Sequence, residues 1–430
     1  MTFGTFSPEG VLTPGAQGLE CGGVAVPRIA ELLRAVEPAA RAFYLYDLEA
    51  LDARTRRFGR AFAPIAPVMG FAIKSNALGA VLECVREAGL DAEAGSLGEL
   101  ELAGRAGFRT SRMVLNGNGR TPEEAQWAVR HRIHSVNADH VAELELLERE
   151  AAAQGGKLRV ALRINPGVET PGHRYVATGH DEAKFGIAPG EALDAWQNRA
   201  RWPHLHLDGI HVHVGSQLID FGPMAAALDA VFAIARESEG RGAPLRLINI
   251  GGGFGIDYGG MLEFPLEDWA RHLAARAEGS GFEWALEPGR WIVAPIGALI
   301  SEVLWVKRRG EKRFIVLAAG MNDLIRPALY GARHRIVPVL PREGARSSAT
   351  VVGPVCESAD VFGDYELPEV EPGDLVAILD TGAYGAVMAS NYNGRGRLAE
   401  VVVRDRRITR ARAGETAEDL AAKWRDDDLG

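Results

Sequence analysis

The chain has 430 residues, 47% of them hydrophobic and 24% charged, which is enough for two or three domains or for one large barrel with an addition. Its 48 basic and 57 acidic residues give a net charge of −9, which argues against a surface for nucleic acid or for an anionic membrane. We find neither an apolar stretch of membrane-spanning length nor a secretory signal. Three scattered cysteines, Cys21, Cys84 and Cys356, suggest no disulfide framework or zinc site, so we expect a cytoplasmic protein.

Residues 1–41 match no regular pattern, and we expect them to contribute a strand to a β domain formed later in the chain. From residue 42 to residue 290, short apolar runs alternate with segments of helical periodicity, one of which opens with a capping-box pattern at Thr121 and Glu124. The runs lie at 69–74, 91–96, 113–117, 133–137, 158–165, 207–215, 245–252 and 282–289. Eight such units predict a TIM-like (β/α)8 barrel.

The pattern changes between residues 291 and 430. Strand-like runs at 313–320, 349–354, 374–382 and 398–405 are separated by Gly, Pro and Asp turns, and helical periodicity returns only at 415–425. We therefore predict an α/β protein in which a (β/α)8 barrel is followed by a mostly-β C-terminal domain.

Polar residues follow four of the predicted barrel strands. In a barrel of this kind, the active residues lie at the carboxyl ends of the strands. The residues at these four ends are Lys74 after the first strand, His213 and Ser216 after the sixth, Gly251, Gly252 and Gly253 after the seventh, and Glu287, Gly289 and Arg290 after the eighth. Four such ends meeting at one face predict an active site there.

Each of these residues also has an ordinary structural interpretation. A lone lysine is usually solvated, a glycine run is often only a tight turn, His213 fits a barrel interior, and Glu287 is able to pair with Arg290. Together, however, a lysine that forms a Schiff base, glycines that bind phosphate, an imidazole for a ring face and a carboxylate for a ring nitrogen describe a pyridoxal phosphate site. We expect no metal site, with His211 and His213 facing opposite sides of their strand.

Seven motifs carry a resemblance to a known family. The segments "FAIKSN", "HVHVGSQ", "IGGGFG", "EPGR", "MNDLIRPALYG", "GPVCESAD" and "GAYGAVMASNYN" occur in the order seen in fold-type III pyridoxal phosphate-dependent decarboxylases. The resemblance covers almost the whole chain and is strongest to the diaminopimelate decarboxylase branch. It implies a pyridoxal 5'-phosphate enzyme that decarboxylates meso-2,6-diaminopimelate to L-lysine.

The resemblance also implies a role for each matching residue. Lys74, His213 and Cys356 are the expected catalytic residues: Lys74 attaches the cofactor, His213 stacks on its ring and Cys356 protonates the carbanion. The other expected cofactor contacts are Ser216, Gly251, Gly252, Gly253, Glu287, Gly289, Arg290 and Tyr384, and the expected substrate contacts are Arg290, Arg326, Tyr330, Glu357 and Tyr384. The family further implies a homodimer with shared active sites, in which the Cys356–Glu357 segment comes from the partner subunit.

Two residues depart from the family pattern, namely Glu93 in "EAGSLGEL" and Trp291 after "EPGR", and the Thr-Pro that the family has before the segment reading "RAFYLYD" here is absent. The two residues bear on the substrate more than on the cofactor. The alternatives are a related decarboxylase of another amino acid or of a carrier-bound one, a non-catalytic regulatory relative, and a lysine-imine aldolase on a plain barrel. Intact Lys74 and Cys356 argue against a non-catalytic relative, and Glu357 argues against a different substrate.

Overall fold

The structure, a computed structural model, describes residues 10–168, 185–259, 262–342, 344–422 and 424. The strands are β1 Thr13–Gly15, β2 Gly18–Cys21, β3 Val24–Ala25, β4 Ala42–Asp47, β5 Val68–Ala72, β6 Asp91–Ala94, β7 Val114–Leu115, β8 Ser135–Ala138, β9 Leu158–Arg163, β10 Leu205–His211, β11 Leu247–Asn249, β12 Glu283–Leu286, β13 Gly297–Arg309, β14 Lys312–Leu317, β15 Ile336–Pro338, β16 Ser347–Val352, β17 Val361–Leu367, β18 Leu375–Ile378, β19 Ala399–Arg404 and β20 Arg407–Arg412.

The helices are α1 Val26–Val36, α2 Leu48–Phe62, α3 Gly79–Glu87, α4 Leu97–Arg105, α5 Pro122–His131, α6 Glu143–Ala153, α7 Pro189–Gln197, α8 Gly222–Gly240, α9 Leu266–Ala277, α10 Arg290–Val293, α11 Arg326–Tyr330 and α12 Ala417–Ala421. The predicted capping box is present at the start of α5, where Thr121 accepts from the backbone N–H of Glu124. Among the helices that the structure describes, none is both long and apolar enough to cross a membrane.

The described residues form two compact units. One unit comprises residues up to 52, Tyr258 and Gly259, and the residues from 293 onward, while the other comprises 53–257 and 262–292. The second unit contains a closed barrel in which strands β5 to β12 pair in parallel around the ring. Five buried side chains from different strands fill its interior, namely Val68, Val114, Ala161, Leu247 and Ala285. The predicted barrel of eight parallel strands is confirmed.

The first unit is built on a nine-stranded sheet. Along its main path the order is β17-β16-β14-β13-β4-β19-β20, with β18 paired to β13 and β15 paired to β18. The long strand β13 organises this sheet, because it pairs with β4, β14 and β18. The predicted mostly-β domain is therefore confirmed.

The N-terminal segment differs from the prediction in one respect. Strands β1, β2 and β3 form a small sheet of their own, and α1 packs with them on the core of the β unit through Leu19, Ile29 and Leu33. The strand that enters the large sheet is β4, which pairs with β13 and β19 and was assigned to the barrel from the sequence. Its residues are buried throughout, as parallel barrel strands also are, so its pattern does not distinguish the two sheets.

Candidate active site

Lys74 lies just beyond β5, in the short helical turn Ile73–Ser75. Its Nζ atom is 3.3 Å from Oε2 of Glu93, which lies on the next strand, β6. The Glu93 side chain is fully buried, whereas that of Lys74 is 48% exposed. Burial raises the pKa of Glu93 and the nearby Glu287 raises it further, while the Lys74 charge opposes both effects. Lys74 is therefore an accessible amine beside a buried carboxyl group that is able to exchange a proton with it.

Two asparagines connect this pair to a second buried carboxylate, Glu287, to which a third asparagine also donates. Asn116 Nδ2 donates to Glu93 Oε1 at 2.8 Å, and Asn137 Nδ2 donates to Asn116 Oδ1 at 2.7 Å. The same Asn137 amide also donates to Glu287 Oε1 at 3.0 Å. Asn249 completes the array with a 2.8 Å bond to Glu287 Oε1. The array positions Glu93 and Glu287 through fixed amide donors rather than through solvent.

Glu287 follows β12, is 5% exposed and remains ionised. Burial alone would raise its pKa, but His211, Lys74 and His213 together outweigh burial and hold the pKa well below its usual range. His211 Nε2 lies 3.5 Å from Glu287 Oε2. An ionised carboxylate in such a setting is suited to hold a proton on a heterocyclic nitrogen.

His213 carries a neutral imidazole. Its Nδ1 atom accepts from the Gly252 N–H at 3.2 Å, and its pKa is lowered to about 3 by burial and by the charges of Arg163 and Lys74. The expectation that His211 and His213 face opposite sides was wrong. Residues two positions apart in extended backbone share a face, and both rings lower the pKa of Glu287. Within the described ranges, no group of three or more His, Cys, Asp or Glu side chains is placed to hold a metal ion.

The glycine segment after β11 packs closely against the loops that follow β10 and β12. A Cβ atom at Gly252 would lie 2.3 Å from the backbone oxygen of Glu287, so only glycine fits there. The Gly251 N–H donates to Asn249 Oδ1 at 2.9 Å, and the Gly252 N–H donates to His213 Nδ1. Two of the three predicted phosphate-binding amides thus have side-chain acceptors, and phosphate binding by this segment stays a prediction.

Ser216 and Arg290 meet near the same barrel end. Arg290 Nη2 donates to Ser216 Oγ at 3.1 Å, and Arg290 begins the short helix α10 directly after Gly289. Gly289 lies close to Ala72 and Ser75, where a Cβ would stand 3.0 Å from that of Ala72. A hydroxyl and a guanidinium within hydrogen-bond distance are suitable donors for a phosphate.

The barrel residues fit pyridoxal phosphate on chemical grounds. Lys74 supplies an accessible amine, and Glu287 supplies an ionised carboxylate. His213 supplies a neutral flat ring, and Ser216 with Arg290 supplies anion donors. Pyridoxal phosphate has an aldehyde for the amine, a ring nitrogen for the carboxylate, a ring face for the imidazole and a phosphate for the anion donors.

The remaining predicted residues lie in the β unit. Cys356 and Glu357 are both exposed and sit between β16 and β17. The Cys356 N–H donates to Asn393 Oδ1 at 2.8 Å, so the side chain of a distant loop holds the backbone at the thiol. Cys21 and Cys84 are buried, which leaves Cys356 as the exposed thiol of the three.

Arg326 and Tyr330 lie at opposite ends of the five-residue helix α11. Arg326 is 5% exposed, its Nη1 is 2.6 Å from His334 Nε2, and its guanidinium carbon lies 4.3 Å from the centre of the Tyr258 ring. Tyr330 is half-buried. A guanidinium fixed by a ring face and an imidazole is oriented for a planar partner such as a carboxylate.

Tyr384 has a left-handed backbone, with φ of 56°. A bulky residue in that region is uncommon, and such outliers cluster at functional sites. The following Gly385 has no room for a Cβ atom, which would lie 2.5 Å from the Thr381 oxygen. The half-buried Tyr384 side chain is thus set by a strained turn that the packing enforces.

The two departures from the family pattern have different consequences. Trp291 is buried against Phe58, and the guanidinium of Arg54 stacks on its ring at 4.1 Å, so it is a packing residue. Glu93 instead contacts Lys74 and belongs to the site. The sequence interpretation also did not name Asn116, Asn137 and Asn249 as site residues. All three lie at or near the ends of barrel strands, and position at a strand end is the signal that identified Lys74.

Comparisons with known proteins identify the family of the chain. Residues 48–294 match the family model described as "Pyridoxal-dependent decarboxylase, pyridoxal binding domain". A diaminopimelate decarboxylase of Helicobacter pylori is 37% identical over 390 residues, covering 90% of this chain and 96% of that protein. A crystal structure of the H. pylori enzyme with L-lysine matches with a TM-score of 0.86, over 90% of this chain and 98% of that one.

A second solved structure lies at greater sequence distance. It is a diaminopimelate decarboxylase from M. jannaschii in complex with L-lysine, 31% identical, with a TM-score of 0.88 over 96% of this chain and 97% of that one. Fold, family model and full-length relatives thus agree. The chain belongs to the pyridoxal-dependent decarboxylases, in the family of the diaminopimelate decarboxylases.

Proposed function

We propose that the protein is a pyridoxal phosphate-dependent carboxy-lyase that converts meso-2,6-diaminopimelate to L-lysine, the last step of lysine biosynthesis. One observation carries the proposal: Lys74, Glu93 and Glu287 belong to a single hydrogen-bonded array in the barrel of a chain that matches diaminopimelate decarboxylases over nine-tenths of its length. The bound cofactor supplies an electron sink for the pair of electrons left when carbon dioxide departs.

The barrel residues have distinct roles in this proposal. Lys74 holds the cofactor covalently, and Glu93 takes and returns the proton of its amine. Glu287 keeps a proton on the ring nitrogen, since its low pKa leaves it ionised and hydrogen-bond accepting. His213 packs on the ring face as a neutral imidazole. Ser216, Arg290, Gly289 and the Gly251–Gly253 segment bind the phosphate.

The residues of the β unit, together with Arg290 of the barrel unit, recognise the substrate, and a residue of the β unit ends the reaction. Arg326, Tyr330 and Arg290 bind carboxylate groups, for which guanidinium forks and phenol hydroxyls are suited. Glu357 binds the amino group that does not react, and Tyr384 contacts cofactor and substrate. Cys356 delivers a proton to the carbon that lost its carboxylate, as a thiol is able to do.

We also propose a cytoplasmic homodimer in which Cys356 and Glu357 of the partner subunit complete each active site. Both residues are exposed in the single chain. Two apolar side chains are exposed as well: Val361, which follows the same turn in the sequence, and Tyr392, which precedes the Asn393 that bonds to Cys356. This exposure leaves the Cys356 and Glu357 side chains accessible to a partner subunit. The barrel and the β unit would then be the two domains of each subunit.

Purified protein incubated with pyridoxal phosphate and meso-diaminopimelate tests the activity. We expect equimolar lysine and carbon dioxide, visible absorbance from the attached cofactor, and loss of both activity and absorbance in Lys74→Ala. Turnover of another amino acid with none of diaminopimelate would instead favour the related decarboxylase. Mixing inactive Lys74→Ala with inactive Cys356→Ala tests the shared site, because exchange of subunits rebuilds one complete site per mixed dimer. No recovery after proven exchange would contradict it.

A further inference from the structure

The turn that carries Cys356 and Glu357 is held by side chains on both of its flanks. On one side, Asn393 Oδ1 accepts from the Cys356 N–H at 2.8 Å. Asn393 has a left-handed backbone with φ of 59°, a conformation that asparagine tolerates better than most residues. The bond joins two loops that are 37 residues apart in the chain. A contact of this kind fixes the backbone at the thiol directly.

On the other side, Asp360 holds the start of the same turn. Its Oδ2 atom accepts from the Val355 N–H at 2.6 Å, and its Oδ1 atom accepts from the Met321 N–H at 2.7 Å. The Asp360 backbone oxygen accepts from the Gly353 N–H at 3.1 Å. Asp360 is 4% exposed, in contrast to the four exposed residues before it. A buried carboxylate therefore ties the turn to the loop that follows β14.

Both holding points are anchored on that loop. The Met321 N–H donates its hydrogen bond to Asp360, and the Ala318 oxygen accepts from Arg395 Nη2 at 3.1 Å. The Arg395 oxygen in turn accepts from Asn391 Nδ2 at 3.0 Å, two residues before Asn393. The loops at 318–321, 353–360 and 391–395 thus form one hydrogen-bonded unit around an exposed turn.

We infer that Asn393 and Asp360 are positioning residues that fix the Cys356 thiol and the Glu357 carboxylate for their reactions. The inference rests on the proposed function for the role of Cys356, but the geometry stands by itself. Val355 and Cys356 are consecutive residues, and each gives its N–H to a different side chain. An exposed turn that must place a donor atom within about 0.5 Å needs such support.

A conservative substitution preserves the hydrogen bond of Asn393 but only one of the two side-chain hydrogen bonds of Asp360. Asn393 uses only an oxygen acceptor toward Cys356, so Asn393→Asp keeps that bond whereas Asn393→Ala removes it. Asp360 uses both oxygens as acceptors, so Asp360→Asn keeps one bond and places an amide donor against the other N–H. The series Asn393→Asp, Asn393→Ala and Asp360→Asn should therefore loosen the turn in that order.

Hydrogen exchange of the peptide covering 353–360 measures the turn itself. In Asn393→Ala we expect the Cys356 amide to exchange about fivefold faster or more, since one hydrogen bond is lost. Asn393→Asp should stay near wild type, and Asn118→Ala, at an exposed asparagine in the barrel unit, serves as a matched control. Unchanged exchange in both Asn393→Ala and Asp360→Asn would overturn the inference.

Steady-state kinetics decide whether the support matters for chemistry. We expect Asn393→Ala to lower kcat about tenfold or more while KM changes little, because the proton donor is misplaced after substrate has bound. Loosened exchange with unchanged kcat would show a structural role only and would overturn the positioning role. If the wild type decarboxylates no diaminopimelate, the proposed function fails, and the exchange measurement alone then decides whether Asn393 and Asp360 fix the turn.

Discussion

The Glu93 carboxylate and the Lys74 amine lie 3.3 Å apart, one fully buried and the other half exposed. Lys74 lies in the turn after β5 and Glu93 lies on the neighbouring strand β6, where burial favours the protonated form of the Glu93 carboxyl group. A lysine that must lose and regain a proton in each turnover is served by such a neighbour. Glu93 therefore becomes the residue most worth changing besides Lys74 itself.

Glu93→Gln should preserve shape and abolish proton exchange. We expect kcat to fall about a hundredfold, while visible absorbance still shows the attached cofactor. Because the pKa of Glu93 is raised, the wild-type rate should fall on the acid side at a pH above the usual glutamate range, and this limb should disappear in the variant. The pH profile of kcat/KM measures both effects.

Glu83→Gln, at an exposed position of α3, is the matched control for that experiment. It should leave the pH profile unchanged. A Glu93→Gln enzyme with normal kcat and an intact acid limb would remove Glu93 from the mechanism and leave it as a packing residue.

Glu287→Gln should lower kcat without changing how kcat depends on pH. The pKa of Glu287 is held well below its usual range, so Glu287 is ionised throughout the working range. A neutral amide cannot hold a proton on the ring nitrogen, and we expect kcat to fall at least about a hundredfold. Stopped-flow or steady-state assays from pH 6 to 9 should give a constant ratio to wild type. A ratio that changes across this range would mean that another group, and not Glu287, titrates there.

Asp323 predicts how stability depends on pH. Burial raises its pKa from 3.8 to about 7 although Gly320 and Asn322 donate to it. Below pH 3.8 both the folded and the unfolded state hold the proton, so the effect is neutral there. Between pH 3.8 and about 7 the unfolded state releases the proton first, so the free energy of unfolding falls as pH rises and levels off above that range.

The shift corresponds to roughly 4 kcal/mol at 1.36 kcal/mol per pKa unit. Asp323→Asn cannot ionise, so its Tm relative to wild type should rise from pH 4 to about pH 7 and level off toward pH 8. Thermal unfolding across that range measures the difference, with Glu366→Gln on β17 as an exposed control. A Tm difference that does not vary with pH would show that Asp323 stays ionised in the fold.

The sequence predicts more of the barrel site than of its supporting residues, for a physical reason. Lys74, His213 and Glu287 follow strands, and the carboxyl ends of parallel barrel strands meet at one face regardless of the details of packing. Asn116 directly follows β7 and Asn137 lies near the end of β8, but neutral amides carry no chemistry that marks them. Their importance arises only when the closed ring brings Glu93 and Glu287 within reach of one chain of amides.

In the β unit too, the reactive residues are predictable from the sequence and the residue that supports them is not. Cys356 and Glu357 are recognisable from their motif, whereas Asn393 supports them from 37 residues away through a contact between two loops. No periodicity in the sequence specifies a pairing between loops. The assignment of β4 failed for a related reason, since a strand buried on both faces has the same apolar pattern in a barrel and in the centre of a large sheet.

His334 fixes the orientation of Arg326, and this relationship gives the last prediction. His334 Nδ1 lies 2.8 Å from the Leu379 oxygen, which is only an acceptor, so the ring proton sits on Nδ1. Nε2 is then free of hydrogen and accepts from Arg326 Nη1 at 2.6 Å. His334 must therefore be neutral to hold Arg326, and replacement by leucine removes the acceptor while keeping an apolar body.

We expect His334→Leu to raise KM for diaminopimelate about tenfold, because a charge-assisted hydrogen bond that orients Arg326 is lost. His334→Gln should recover most of that loss, since its side-chain oxygen is able to accept from Arg326. The effect should appear in KM more than in kcat, because the role proposed for Arg326 is to bind substrate and not to move a proton. A leucine variant with a lower Tm but an unchanged KM would assign His334 to stability alone, and equal defects in the leucine and glutamine variants would show that the accepting nitrogen is not what positions Arg326.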